Sequence, residues 1–333
     1  MKIVNYIKKY LLPTIRYLLT GTLIVYCLTI IDWQLLIKGC IGIKPTWIIL
    51  SFVMLFLSTL LAGMRWCNFM SIANVPGTRL HKLTLYIYGS LINQGLPSTV
   101  GGDLYRASKM SNLSLDNAPI KLTQIFSDTR FQLLKVNLIV VVLDRLCGLY
   151  GNLILAALGL ILAAYMLPPW ALITGYVLLS IILISTFAIS ILLQIGKIRR
   201  WLLAVSVRLL IPSIFPVLAH LFDFPTVLWE FVRSLAVHLL GLAAFFFCLK
   251  AFGVEPPVEA LLLVLSTVNL LVMLPISLSG WGLRETTAAG LFALWGIEPT
   301  LTITASVAFG IILLLTLLPG IYYLSLSKSK VMV

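Results

Sequence analysis

The chain has 333 residues, of which 60% are hydrophobic and only 11% charged, with a mean hydropathy of +1.07. A soluble domain carries about 25% charged residues, so this composition excludes a soluble globular protein and leaves no room for a separate soluble catalytic domain. The formal charge of +13 is then read as basic membrane-flanking loops, not as a nucleic-acid surface.

In chain order, Lys2, Lys8 and Lys9 precede a first apolar run with no small-residue cleavage site after it, which predicts a retained helix at about 14–31. A second helix is expected at about 46–64, and a shorter segment at about 83–96. A long, more polar stretch fills 101–135. The apolar run 136–167 is broken only by Asp144-Arg145. Further runs lie at about 170–194, 226–253 and 258–275, then a short helix at 285–296 and a last span at 300–325. At about 20 residues per crossing, the length holds roughly eight helices. The expected fold is therefore all-α: a polytopic integral membrane helix bundle of about eight transmembrane helices, in one membrane domain over 1–333.

Basic residues set the orientation. Lys2, Lys8, Lys9 and Arg16, then Arg65, Arg79 and Lys82, then Lys197, Arg199, Arg200 and Arg208, and finally Lys328 and Lys330 all belong in the cytoplasm by the positive-inside rule. Both termini are then cytoplasmic, and Glu255, Glu259 and Glu298 lie outside. Segments 65–82 and 101–135 are both basic, yet only 83–96 separates them. That segment holds Asn93, Gln94 and Gly95 and is too polar for a comfortable span, so it is expected to dip in and return as a broken or re-entrant helix. A second such break is expected between 258–275 and 285–296.

Each break carries a related phrase. The first runs Leu96-Pro97-Ser98-Thr99-Val100-Gly101-Gly102-Asp103-Leu104-Tyr105-Arg106. The second runs Leu274-Pro275-Ile276-Ser277-Leu278-Ser279-Gly280-Trp281-Gly282-Leu283-Arg284-Glu285. In both, a Gly stands five residues after the Pro and an Arg nine after it. An Asn precedes each, Asn93 and Asn269. The match suggests half-repeats over about 46–167 and 226–325; the competing reading is that Leu-Pro and Gly are ordinary helix terminators. Helix breakers beside ionisable groups in two halves of a membrane chain point to a transport site.

In the first phrase, Gly101-Gly102 allows a close backbone approach, Asp103 stands where a helix N-cap falls, and Arg106 offers a fork of donors suited to phosphate. In the second, Gly280 and Gly282 flank Trp281 in a turn, and Arg284-Glu285 is either a self-neutralised pair or a grip on substrate. Asp144 and Arg145 must face the bundle interior or water. Arg65-Trp66 reads as an interfacial anchor, with a substrate role as the lesser reading, and Glu230 with Arg233 as a local pair on one helix face. The cysteines are scattered and His81, His220 and His238 lie far apart, so no metal site is expected. No Gly-rich loop ends in Gly-Lys-Ser/Thr, so no ATP site and no cofactor are expected.

Arg65-Trp66, Asn93, the Gly101–Arg106 phrase, Asp144-Arg145-Leu146-Cys147-Gly148-Leu149, the Leu274–Glu285 phrase and Leu318-Pro319-Gly320 together resemble the lysylphosphatidylglycerol synthase transmembrane-region family, also called the flippase-like domain family. The resemblance implies an integral protein of the bacterial plasma (inner) membrane whose helices move a lipid between leaflets. In the related synthases a separate soluble domain makes the aminoacyl lipid. The chain ends at Val333 soon after its last span, so that domain and its transferase activity are not expected here. The stretch 112–136 is longer and more polar than the family's usual connection.

These readings converge on a flippase-like protein that binds or translocates a phospholipid or other anionic lipid headgroup. The candidate substrate-binding residues are Asn93, Gly101, Gly102, Asp103, Arg106, Asp144, Arg145, Ser277, Gly280, Gly282, Arg284 and Glu285. The alternatives are a membrane-embedded enzyme acting on a lipid or polyprenyl-phosphate headgroup, with Asp103 or Glu285 as base, and a non-catalytic partner of a lipid synthase or glycosyltransferase. The expected partner is membrane lipid, not nucleic acid.

Overall fold

Long apolar runs become helices because only a helix satisfies every backbone N–H and C=O within one segment away from water. A computed structural model describes residues 12–73, 75–95, 101–116, 129–195, 197–198, 200–201, 224–274 and 276–324, and these contain helices, turns and no strand. Pro97, Ser98, Thr99, Pro275, the connection 117–128 and the basic residues Lys2, Lys8, Lys9, Arg199, Arg208, Lys328 and Lys330, as well as His220, lie outside the described residues.

The helices are α1 (Leu12–Ile30), α2 (Trp33–Ile41), α3 (Pro45–Ile72), α4 (Arg79–Gly95), α5 (Gly101–Asp116), α6 (Thr129–Leu162), α7 (Pro169–Gln194), α8 (Phe224–Ala251), α9 (Val258–Met273), α10 (Leu283–Phe292) and α11 (Pro299–Leu317). Local chemistry sets several boundaries. The Asp32 carboxylate accepts from the N–H groups of Gln34 and Leu35 at 2.9 and 3.1 Å, starting α2 after an 85° bend from α1. Pro45 and Pro299 open α3 and α11, where a missing N–H costs nothing. Gly296, at φ +69°, closes the short 3₁₀ turn that follows α10.

Among the described residues, α3, Leu134–Leu162 of α6, Leu228–Ala251 of α8 and Pro299–Leu324 are long and apolar enough to cross a membrane. The bent pair α1–α2 is apolar and long enough only when its two helices are taken together, which gives up to five spans, and Pro169–Ser185 of α7 and the helix α9 are shorter apolar stretches. The chain is thus a multi-pass helical membrane bundle. Beside these spans, α4, α5, α9 and α10 are short helices packed in pairs, α4 with α5 and α9 with α10.

The helix expected to stop near 64 runs on to Ile72. Trp66, Phe69 and Met70 continue its buried face at helical spacing. Arg65 therefore sits inside the bundle. It does not belong to a cytoplasmic loop, and the interfacial-anchor reading of Arg65-Trp66 is corrected.

Two hairpins pack into the scaffold of α3, α6, α8 and α11. In the first, α4 and α5 run antiparallel: Tyr88 meets Tyr105 at 5.6 Å between ring centroids, and the Gly102 N–H donates to Asn93 Oδ1 at 2.7 Å. The backbones touch, since a Cβ built at Gly102 would collide with the Gly89 carbonyl oxygen. In the second, α9 packs against α10 across a turn containing Gly280 (φ +83°) and Gly282 (φ +78°), conformations that glycine adopts without strain. The main core joins α3, α6 and α8 to the second hairpin and α11 through Leu55, Leu155, Phe245, Leu249, Val264 and Phe292. A second core, around Trp66, Phe69, Met70, Leu85 and Val140, lies beneath the first hairpin.

Candidate functional site

The turn of the second hairpin meets the last turn of α4 directly. Ser279 Oγ, in the turn of the second hairpin, donates to the Asn93 carbonyl of the first at 2.6 Å. Behind this contact lies a cavity of about 440 Å³. Its wall includes Asn93, Asp103 and Arg106 from the first hairpin, Asp144 and Arg145 from α6, Arg65 from α3 and Arg284 from α10. Much of the remaining wall is apolar, with Leu242, Phe245, Leu265, Val268 and Phe309.

The charges form one connected system. Asp144 accepts from Arg65 Nε at 2.8 Å and faces Arg106 Nη2 at 3.5 Å. Arg65 Nη1 also donates to Ser234 Oγ on α8 at 2.8 Å. Asp103 faces Arg106 Nη2 at 3.2 Å, accepts from Arg145 Nε, and lies 3.4 Å from Asn93 Nδ2. Asp103 is thus the third residue of α5, turned sideways onto two guanidinium groups, and not the bare N-cap that its position in the phrase implies. Asp144 and Arg145, adjacent in sequence, take different partners, so they are not a pair with each other.

Arg106 is 3% exposed, and its Nε is buried without a hydrogen-bond partner. Its guanidinium lies over the rings of Trp66 and Tyr86, at 5.0 and 4.8 Å from their centroids. Arg284 repeats the arrangement in the second hairpin, with Trp281 at 5.1 Å and Phe309 at 5.6 Å. It is held by Glu285 Oε1, at 2.9 Å from Nε and 2.7 Å from Nη2, and by Ser306 Oγ at 3.1 Å. The other oxygen of Glu285 accepts the Gly282 N–H at 2.7 Å, tying that carboxylate to the start of α10. Gly310 leaves room for the guanidinium, because a Cβ there would run into it.

Of the expected site residues, Asn93, Asp103, Arg106, Asp144, Arg145 and Arg284 line the cavity, whereas Gly101, Gly102, Ser277, Gly280, Gly282 and Glu285 do not. Gly102 permits the close hairpin, Gly280 and Gly282 shape the second turn, Glu285 backs Arg284, and Ser277 is buried nearby. Glu230 and Arg233 form the expected local pair at 3.0 Å, joined by Asn68 at 3.2 Å.

Several residues were missed in the sequence: the ring partners Tyr86 and Phe309, and Ser234 and Ser306; Arg65 was read first as an anchor, and it is the lesser, site reading that its place in the wall favours. Asn152 and His238 also line the wall; Asn152 Oδ1 accepts from Asn269 at 3.2 Å, and His238 Nε2 meets the Gly148 carbonyl at 2.8 Å. A usable signal existed for Arg65, whose neighbours Trp66, Phe69 and Met70 continue a helical apolar pattern past it.

Neither the curated proteins nor the solved structures searched contain a match to this chain. The family described as "Lysylphosphatidylglycerol synthase TM region" matches residues 14–320, a stretch that includes both hairpins, every arginine of the cavity and the scaffold helices around them. The chain belongs to the lysylphosphatidylglycerol synthase TM region family.

Proposed function

We propose that this membrane protein binds the anionic headgroup of a phospholipid in the arginine-walled cavity and passes it between leaflets while the tails stay in lipid. The observation that carries this reading is that Arg106 and Arg284, from two separate hairpins, face one cavity of about 440 Å³. That volume is within the usual range for small-ligand sites, roughly 300–1,000 Å³. Guanidinium groups match phosphate oxygens with two parallel donors. Ionisable groups inside a membrane domain are costly to bury, and they are retained where substrates or ions pass. Asp103 and Asp144 orient Arg106, and Glu285 orients Arg284. In this reading the chain sits in a bacterial plasma membrane with both termini cytoplasmic, as its basic segments favour.

The test uses the purified full chain in proteoliposomes containing fluorescent phosphatidylglycerol, with dithionite quenching to report movement between leaflets. The double variant Arg106→Ala/Arg284→Ala is expected to lose transport by on the order of tenfold or more, since charge-assisted hydrogen bonds contribute about 1.5–3 kcal/mol each. Arg106→Lys/Arg284→Lys keeps the charges and controls for folding. Undiminished transport by the alanine double variant refutes the reading. A covalently altered lipid appearing in the same vesicles by mass spectrometry favours a headgroup-modifying enzyme instead.

A further inference from the structure

One wall residue titrates near neutral pH in its ordinary form. His238, on α8, is half-buried and lines the cavity. Its Nε2 meets the Gly148 carbonyl of α6 at 2.8 Å, and among the described residues the ring makes that one hydrogen bond. A carbonyl only accepts, so Nε2 carries the proton of the neutral ring and Nδ1 holds the lone pair. Nδ1 is therefore the nitrogen that takes up the next proton. Ionisable groups that face a cavity inside a membrane domain mark paths for substrates, ions or protons.

The ring stands on a polar seam between helices. Asp144, Gly148 and Asn152 follow at four-residue steps on one face of α6, and Ser234 and His238 do the same on α8. Arg65 bridges Asp144 and Ser234, at 2.8 Å from each. One turn on, His238 meets Gly148; one turn further, Asn152 accepts from Asn269 of α9 at 3.2 Å. The charged groups that share the wall with His238 are Arg65 from α3, Asp103 and Arg106 from α5, Asp144 and Arg145 from α6, and Arg284 from α10. The helices α9 and α11 also pack against α8 and present uncharged wall residues, Asn269 and Phe309 among them. On α8 itself, Glu230 pairs with Arg233 about two turns before His238, and Lys250 pairs with Glu255 near the other end.

We infer that lipid movement is coupled to protons through His238, one proton entering and leaving the cavity with each anionic phosphate headgroup. This rests on the transport reading above and adds the force that drives it. The proton passes from cavity water to Nδ1, turning imidazole into imidazolium while Nε2 keeps its bond to Gly148. A compact cavity of about 440 Å³ is roughly 9 Å across, close to one Debye length, so a phosphate anywhere in it feels that charge. Whatever the balance of the other wall charges, the headgroup binds more tightly to the protonated protein. By linkage, the proton binds more tightly to the loaded one. When the cavity opens to the other side, the headgroup enters the far leaflet and the proton returns to water. The charges of a phosphodiester and one proton cancel, so a pH difference drives the step and the membrane potential does not.

The experiment uses the full chain in proteoliposomes with tail-labelled phosphatidylglycerol, a lumen one pH unit above the outside, and the potential held at zero by potassium and valinomycin. The steady-state ratio of label between leaflets is read, because a ratio does not depend on how fast a preparation transports. One proton per lipid predicts a roughly tenfold excess in the lumenal leaflet, beyond that in protein-free vesicles, since one pH unit is a factor of ten in the driving equilibrium. Nigericin, which collapses the gradient, is expected to abolish the excess. Equal leaflets under the gradient, reached faster than in protein-free vesicles, overturn the coupling and leave the transport reading standing. No movement beyond that in protein-free vesicles ends the transport reading, and the coupling falls with it. These arms use the unaltered protein, so neither depends on a variant that folds. His238→Gln keeps a donor for the Gly148 carbonyl and removes the titrating nitrogen; it and His238→Asn are expected to lose the excess, and its retention in either overturns His238 as the carrier. Binding of short-chain phosphatidylglycerol in micelles is expected to tighten as the pH falls from about 8 to about 6 and to lose that dependence in both variants; a dependence that persists in a variant overturns the assignment equally.

Discussion

Replacing Asp144 by alanine tests whether the arginines are held as one charge system. The Asp144 carboxylate, with a side-chain exposure of 5%, is shared by Arg65 at 2.8 Å and Arg106 at 3.5 Å. At an effective dielectric near 20, each contact at about 4 Å between charge centres represents about 4 kcal/mol of gross attraction. Desolvation offsets much of that, but removing one partner leaves the other charges buried without compensation. The expected net loss of stability is therefore about 3–5 kcal/mol. Among the described wall residues Asp103 is then the one carboxylate left, paired with Arg106 and Arg145, and Arg65 has lost its own. The loss is a large fraction of a typical folding free energy of about 5–15 kcal/mol.

The assay is reversible unfolding in mixed micelles by titration with sodium dodecyl sulfate, followed by tryptophan fluorescence. The informative companion is Arg65→Met/Asp144→Leu, which removes both members of the closer pair while Arg106 keeps Asp103 at 3.2 Å. Replacing a buried pair by apolar groups of similar size is often neutral, so the double variant is expected to recover at least half of what Asp144→Ala loses. An Asp144→Ala protein within about 1 kcal/mol of wild type, the ordinary cost of one lost hydrogen bond, refutes the reasoning. A double variant as unstable as the single one refutes it equally.

Two further outcomes probe the hairpins. Gly102→Val forces a side chain into the Gly89 carbonyl and is expected to lose at least about 1–3 kcal/mol, whereas Gly290→Ala, in open space on α10, should gain about 0.5–1 kcal/mol from the helix preference alone; equal unfolding midpoints for the two would contradict the packing described. Ser279→Ala removes the 2.6 Å hydrogen bond between the turn of the second hairpin and the last turn of α4 and is expected to lose about 1 kcal/mol. Ser279→Gly loses the same bond but is relieved of a positive φ of 49°, so its thermal midpoint should fall less than that of Ser279→Ala.

Much of the fold was legible in the sequence because membrane helices announce themselves by apolar length. Runs at 170–194, 226–253 and 258–275 correspond to α7, α8 and α9 within a few residues, and 300–325 to α11 with the turns that extend it to Leu324. The paired short helices were legible from Asn93, Gln94 and the glycines, since polar and flexible residues interrupt an apolar run for a reason. The partners of the charges were not legible. Asp144 and Arg145 are adjacent, yet a helix turns neighbouring residues by about 100°, so they face different helices. Arg65 and Asp144 are 79 residues apart, and no periodicity encodes which distant helix face an arginine meets. Trp281 was visible as a turn residue beside Arg284. Phe309 and Ser306 lie on α11, in a run whose overall apolar character hid their roles.

The contact between Gly89 and Gly102 has a mechanical consequence. Where the two main chains touch, neither glycine has a side chain to rearrange, so α4 and α5 are expected to move together, as one arm. Asp103 and Arg106 ride on the same arm, so a swing large enough to open a route for a headgroup carries acid and base together and keeps their spacing constant. The electrical character of that arm stays the same at both ends of its travel.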